Sequence, residues 1–110
     1  MITYDDFSKI DVRVGKIIAV EDFTRAHKPA YKVQIDFGPE IGVKWSSVQA
    51  KRDYTKEEML GQQVVGVVNF PPKNIAGFMS EVLILGVLAE DGGLSLLVPG
   101  RPAQLGSRMY

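Results

Sequence analysis

Cysteine is absent from this 110-residue chain, and histidine occurs once, at His27. Without thiols, a disulfide, a thiolate nucleophile and a cysteine metal site are all excluded. His27 lies in a polar stretch with no second histidine beside it, which is a poor pattern for a metal site. The chain also has no glycine-rich phosphate loop and no nucleophile and base at a diagnostic spacing. We therefore expect no metal, no cofactor and no enzymatic activity.

An excess of either charge is also missing, because 13 basic residues balance 13 acidic ones. Domains that coat nucleic acid by bulk electrostatics are usually strongly basic, so the balance argues against that class. Basic residues are nevertheless concentrated between positions 25 and 56, where seven stand against three acidic ones. That segment is compatible with a local basic face and with an ordinary mixed surface.

Long apolar runs are absent as well. None approaches the roughly 20 residues that a membrane-spanning helix needs, and the first residues lack the basic start and apolar stretch of a signal peptide. The length suits one domain with a real core but not two. We expect a single cytoplasmic domain over residues 1–110 that does not insert into a membrane.

Alternation of apolar and polar residues predicts strands in the first half of the chain. Residues 10–20 and 31–37 alternate, and residues 41–45 begin a third strand in the same period. This pattern places Tyr31, Phe37 and Trp45 on the core side. Gly15 within the first strand predicts a bend or bulge. The capping-box spacing at 55–58 and Gly61 after it predict a short helix.

Two nearly continuous apolar stretches, 63–70 and 80–89, predict central strands, and the turn residues 91–93 predict an added C-terminal hairpin. Three strands, a short helix and two further strands are the order of the OB-fold, a five-stranded Greek-key barrel with its helix between strands three and four. We predict this all-β fold, with another small barrel as the alternative.

The segment between the last two barrel strands combines apolar and charged residues. Ile75, Phe78 and Met79 follow Lys73 and precede Glu81. Exposed apolar side chains rimmed by polar groups mark binding sites, so the three apolar residues are candidates for contact with a polypeptide. Glu81 is a candidate partner for basic residues of such a ligand. The alternative is that the apolar residues fold back and close the barrel.

A second set of candidates is basic or polar and could contact nucleic acid: Arg13, Lys32, Lys44, Ser46, Lys73 and Ser80. OB-folds bind oligonucleotides on strands two and three and the neighbouring loops. Single-strand binders add aromatic stacking platforms, and a core position for Trp45 would leave this face without one. For Arg13, a surface ion pair is the alternative.

The end of strand four, at Phe70, Pro71 and Pro72, is apolar, and both chain ends carry further apolar residues. A self-complementary patch on a two-fold axis would cover such groups, so we predict a homodimer with these three residues at its interface. The alternative is that the tail covers the open end of its own barrel.

Three segments, residues 11–17, 30–38 and 67–85, resemble the tRNA-binding-domain family. This family includes C-terminal extensions of methionyl-tRNA synthetases, EMAP-II-like cytokine domains and free-standing tRNA-binding proteins. Residues 44–49 and 68–78 are similar to its secretion-associated chaperones. Val82 and Leu83 stand where tRNA-binding members usually have glycine and methionine, which favours the chaperone branch.

The resemblance implies an OB-fold homodimer that binds unfolded or export-bound polypeptides and acts with the SecA translocation motor. Because no nucleotide-binding motif is present, such a chaperone would hold its clients without ATP. The resemblance also implies an ancestral tRNA-binding surface. A structure-specific tRNA-binding protein is therefore the alternative function.

Overall fold

The computed structural model describes all 110 residues. Three short helices and nine strands follow one another in this order: α1 Tyr4–Ser8, β1 Val12–Asp22, β2 Tyr31–Asp36, α2 Gly38–Ile41, β3 Val43–Val48, α3 Lys56–Met59, β4 Gln63–Val67, β5 Lys73–Ile75, β6 Phe78–Ser80, β7 Leu83–Ile84, β8 Gly86–Leu88 and β9 Leu94–Leu96. None of the helices is long and apolar enough to cross a membrane.

The main sheet has five antiparallel strands in the order β3-β2-β1-β4-β7. Helix α3 lies between β3 and β4, as predicted, and Thr55 caps it in a reciprocal capping box with Glu58. Two hairpins, β5–β6 and β8–β9, complete the molecule. The predicted OB-fold barrel with an added C-terminal hairpin is confirmed, whereas β5–β6 was expected to be a loop.

The core is a cluster of 12 buried residues inside the barrel, to which β2 contributes its alternate residues Tyr31, Val33 and Ile35. Gly15 of β1 faces this cluster, and a Cβ atom there would overlap the side chains of Ile35 and Phe37. Glycine at this position therefore allows β1 to approach β2 closely. The bend or bulge predicted at Gly15 is not there: the irregularity of β1 is a register shift between Ile17 and Ala19.

Alternation placed Ile10, Val12, Val14, Ile18 and Val20 on the buried face of β1, and this prediction is only partly correct. Val12 and Val14 are buried, but they lie outside the core cluster, whereas Ile17 belongs to it and Ile18 is exposed. Val14 exchanges backbone hydrogen bonds with the tail, donating to Ser107 O at 3.1 Å and accepting from Gly106 N at 2.8 Å. The tail therefore pairs with the first half of β1.

The orientation of β3 differs from the prediction. Ser46, Val48 and Ala50 point inward, and Trp45 lies on the outer face opposite Gln34. The cause is α2, a four-residue turn inserted between β2 and β3 that resets the phase of the alternation. Because side chains alternate with a period of two, a shift of one residue moves every side chain of a strand to the other face.

Candidate functional site

The hairpin β5–β6 is closed by Ala76 and Gly77, whose φ angles are 50° and 86°. Two central residues with positive φ give the tight turn that suits a two-residue hairpin loop. Asn74 Oδ1 accepts a hydrogen bond from Gly77 N at 2.9 Å and stabilises this turn. Register pairs Lys73 with Ser80 and Ile75 with Phe78, so these four side chains share one face of the hairpin.

Side chains after the turn attach the hairpin to the edge of β3. Ser80 Oγ accepts a hydrogen bond from Ser47 N at 3.1 Å. Glu81 Oε1 accepts one from Trp45 N at 3.0 Å, and Glu81 N donates to Trp45 O at 2.8 Å. These bonds satisfy backbone groups of β3 that no strand pairs on that side, and they fix the position of the hairpin beside the barrel.

A groove of about 350 Å³ lies between the hairpin and the barrel. Its nine lining residues include six that the sequence had assigned to three different roles: Phe70, Pro71, Lys73, Ile75, Ser80 and Glu81. Ser47, Val82 and Leu83 complete the lining. The volume is at the lower end of the range for ligand sites, and an apolar lining with a few polar groups is typical of them.

A cluster of aromatic rings lies at the far end of the hairpin. The ring of Phe78 contacts those of Phe23 at 5.3 Å and Trp45 at 6.1 Å, in both cases edge to face. Lys32 Nζ lies 5.1 Å from the centres of both phenylalanine rings. The prediction that this face lacks aromatic residues is therefore wrong, because Trp45 is outside and Phe23 and Phe78 lie beside it.

The alternation of β3 contained the signal for this cluster. Counting back from Val48 and Ala50 in steps of two reaches Ser46 and not Trp45 as the inward residue. The prediction had instead counted forward from Ile41, across the turn that changes the phase. Phe23 has no local signal of this kind, because it follows β1 in a connection whose path only the fold defines.

Two of the residues predicted to contact nucleic acid, Ser46 and Arg13, form hydrogen bonds within the protein instead. Ser46 is 0% exposed and its hydroxyl donates to Val82 O at 2.8 Å, so the prediction that it contacts a ligand is wrong. Arg13 is 14% exposed, and it bonds to Asp11 at 2.6 Å and to Gly106 O at 3.0 Å. The hydrogen bond that Arg13 donates to the Asp11 carboxylate raises the pKa of Arg13. An ion pair was the alternative for Arg13, and the closest one observed joins it to Asp11, two residues earlier in the chain. The hydrogen bond to Gly106 O fastens the tail to β1.

The remaining basic candidates have three different surroundings. Lys73 lines it, Lys32 covers the aromatic cluster, and Lys44 Nζ lies 3.9 Å from Glu81 Oε2. On the other side of β1, the carboxylate of Asp22 accepts ion pairs from Lys56 at 2.9 Å and Lys51 at 3.1 Å. Hydrogen bonds from these two lysines, that of Lys56 first, lower the pKa of Asp22.

Other apolar side chains stand outside the groove. Pro72 and Met79 are exposed, and Met79 points to the opposite face of the hairpin from Ile75. The hairpin β8–β9 exposes Val87 and Leu88, the latter to 81%. No group of three or more histidine, cysteine, aspartate or glutamate side chains is arranged to hold a metal ion.

Comparison with known proteins supports one family. The putative tRNA-binding domain matches residues 12–108. Methionine–tRNA ligases of Pyrococcus abyssi and Bacteroides fragilis are 38% and 34% identical over 109 and 108 residues, which is 98% of this chain in each case. The chain spans 14% and 16% of the length of these two relatives.

Solved structures match over the whole chain. The CsaA chaperone protein of Picrophilus torridus is 52% identical with a TM-score of 0.94, covering 100% of both chains. The chaperone CsaA of Bacillus anthracis is 44% identical with a TM-score of 0.92, covering 100% of this chain and 99% of the other. The chain therefore belongs to the putative tRNA-binding domain family, and within that family it is similar to the CsaA chaperones.

Proposed function

We propose that this protein is a chaperone that binds unfolded or export-bound polypeptides in the groove beside hairpin β5–β6. The observation that carries the proposal is the lining of that groove, where exposed apolar residues meet Lys73, Ser80 and Glu81. Apolar side chains of a client would enter the groove, and the polar groups at its edge would bond to the client backbone. The likeness to CsaA chaperones supports the same role.

Weak and reversible binding follows from the size of the groove. Fully burying one apolar side chain contributes about 1.5–3 kcal/mol, and association costs an estimated 4 kcal/mol or more. The contributions of Phe70, Ile75 and Leu83 together are therefore of the same order as the association cost. Such affinity suits a protein that holds clients and releases them without ATP or any catalytic step.

The predicted client contacts have different places in this proposal. Ile75 contacts the client inside the groove. Phe78 does not line the groove, and it offers its apolar ring beside Trp45 in the aromatic cluster. Met79 adds an apolar contact on the outer face of the hairpin. Glu81 accepts basic client residues through Oε2, whose one ionic neighbour is Lys44 at 3.9 Å.

Suppression of client aggregation tests the proposal. We expect Ile75→Ser and Phe70→Ser each to weaken the suppression by several-fold, because each removes an apolar group from the groove. Ile18→Ser is the matched control, since Ile18 is exposed on the barrel and does not line the groove. If the groove variants fold normally and suppress aggregation to the same extent as Ile18→Ser, the proposal is refuted.

The proposed chaperone works in the cytoplasm and delivers export-bound clients to the SecA translocation motor. A direct contact predicts that the immobilised protein retains purified SecA, and that a bound client increases the retention. Failure of SecA to bind with or without client would remove this partner and leave client binding intact.

We also propose that the functional unit is a homodimer with Phe70, Pro71 and Pro72 at the contact. Because Phe70 and Pro71 also line the groove, the two grooves of the dimer would lie next to this contact. The side chain of Phe70 is 55% exposed and that of Leu88 is 81% exposed. Exposed apolar side chains that form a patch mark association surfaces. Two grooves on one dimer would act on one client chain and raise the apparent affinity through effective concentration.

A tRNA-binding function is the second candidate, and the cluster of Phe23, Phe78 and Trp45 with Lys32 favours it. Aromatic and basic groups together on the outer face of β2 and β3 suit nucleic acid. Lys73 and Ser80 lie on the neighbouring hairpin, and Lys44 lies on β3 one residue before Trp45. Binding through phosphates predicts that tRNA affinity falls steeply as salt rises. Absence of a gel shift at low salt would exclude this function.

A further inference from the structure

We propose that the outer face of β2 and β3 is a stacking site for unpaired bases of single-stranded RNA, with Trp45 as the platform. This inference rests on the second candidate function, which it deepens by naming the part of the RNA that is bound. It does not depend on polypeptide binding in the groove. Three observations carry it: the geometry of the rings, the position of Lys32 and the distribution of unpaired cations.

The geometry of the rings leaves Trp45 available. Its plane is at 87° to that of Phe78, and a perpendicular contact occupies at most one face of the indole. Trp45 is half-buried, and its strand neighbour across the sheet is Gln34, a flexible polar residue. Phe78 and Phe23 are already covered by the ammonium group of Lys32. Trp45 is therefore the ring of this cluster on which a base can stack.

Lys32 is held where a phosphate would follow a stacked base. Its ammonium group lies 5.1 Å from two ring centres, an attraction that fixes a side chain otherwise free to rotate. The seven ion pairs of the protein do not include Lys32 or Arg25. Arg25 lies beside Gly77 at the tip of the hairpin. Two free cations thus flank the aromatic cluster.

The combination distinguishes a single strand from a duplex. Stacking on a side chain requires an exposed base face, which paired bases inside a duplex do not offer. Alanine substitution of a stacking aromatic residue in single-strand binders costs roughly tenfold or more in affinity per base. A surface that bound only phosphates would bind a duplex as well as a single strand.

Fluorescence provides the test, because Trp45 is the sole tryptophan of the chain. We expect a single-stranded oligouridylate of about ten nucleotides, a length within the usual site size, to quench Trp45 emission saturably at low salt. A duplex RNA of equal length should quench it far less. In anisotropy titrations with labelled oligouridylate, Trp45→Leu should bind about tenfold more weakly, and Trp45→Phe should retain most of the affinity.

Two further variants separate this site from the rest of the molecule. Lys32→Gln should weaken binding and reduce the slope of log affinity against log salt by about one, whereas Lys16→Gln, the matched loss of an exposed and unpaired lysine, should leave both nearly unchanged. Phe70→Ser should weaken polypeptide binding and leave oligouridylate binding intact.

Several results would overturn the inference: no quenching, equal binding of duplex and single strand, or unaltered affinity of Trp45→Leu. Binding of tRNA with these same results would overturn base stacking and leave the tRNA function standing. If unfolded polypeptide quenches Trp45 and oligouridylate does not, this face belongs to polypeptide binding.

Discussion

Glu81 and Trp45 exchange two hydrogen bonds, one through backbone and one through side chain. Glu81 N donates to Trp45 O at 2.8 Å, and Trp45 N donates to Glu81 Oε1 at 3.0 Å. The pair joins hairpin β5–β6 to the barrel between the groove and the aromatic cluster. Both proposed binding surfaces therefore depend on the same short connection.

Replacement of the Glu81 carboxylate tests this connection. Glu81→Ala removes the acceptor for Trp45 N, and a half-buried donor left without a partner costs about 1–3 kcal/mol. Glu81→Gln keeps an amide oxygen in the same place and loses only an ion pair with Lys44 that is worth about 0–1 kcal/mol. We expect urea unfolding to rank the stabilities as wild type, glutamine and alanine. Equal stability of the two variants would contradict the role of the hydrogen bond.

The buried hydroxyl of Ser46 gives a second prediction. Ser46→Ala leaves Val82 O without its donor, so we expect a loss of about 1–2 kcal/mol in the free energy of unfolding. Oligonucleotide affinity, measured on the folded variant, should stay unchanged, because Ser46 is inside the barrel. Ser95→Ala, which alters a hydroxyl on β9, is the control for stability. If Ser46→Ala has normal stability but binds the oligonucleotide more weakly, Ser46 contacts the ligand after all.

Asp22 gives a prediction for pH dependence. Its folded-state pKa is lowered by Lys56 and Lys51, so its contribution is fully present above the unfolded value of about 3.9 and is lost as pH falls through the folded pKa. We expect Asp22→Asn to be less stable than wild type near neutral pH, and the difference to close in acid. Thermal unfolding across this range measures it.

Salt is the control for the Asp22 experiment. Exposed ion pairs are screened over roughly 3 Å at about 1 M salt, so the difference between wild type and Asp22→Asn should shrink there. If the difference in stability between wild type and Asp22→Asn stays constant with pH and salt, the loss of the ion pairs with Lys56 and Lys51 is not its cause.

Association of two chains predicts a mass of about twice 12.1 kDa in light scattering at micromolar concentration. Phe70→Glu should shift the protein toward monomer, because it places a charge in an apolar contact, and Ile18→Glu should not. Leu88→Glu tests the second exposed region. If it alone dissociates the dimer, the interface lies on β8–β9 and not at the end of β4. A monomeric wild type would exclude the dimer.

Local sequence determined a large part of this fold. The capping box at Thr55 defines the start of α3, and the alternation from Tyr31 to Phe37 defines the buried face of β2. These features depend only on nearby residues. A capping box joins residues three positions apart, and the side chains of a strand alternate with a period of two residues. The order of strands and helix that they produce was enough to predict the OB-fold.

Tertiary structure decided which faces and partners the other residues have. Alternation defines two faces of a strand without saying which one is inside, so the turn at α2 could place Trp45 outward and Ser46 inward. Arg13 donates a hydrogen bond to the carbonyl of Gly106, a residue 93 positions away, and no local sequence pattern predicts such a partner. The groove combines candidates of three kinds because folding brings β3, the hairpin and the end of β4 together. Sequence supplied the chemical groups, and chain packing, which depends on contacts between distant residues, decided which of them are exposed and which are buried.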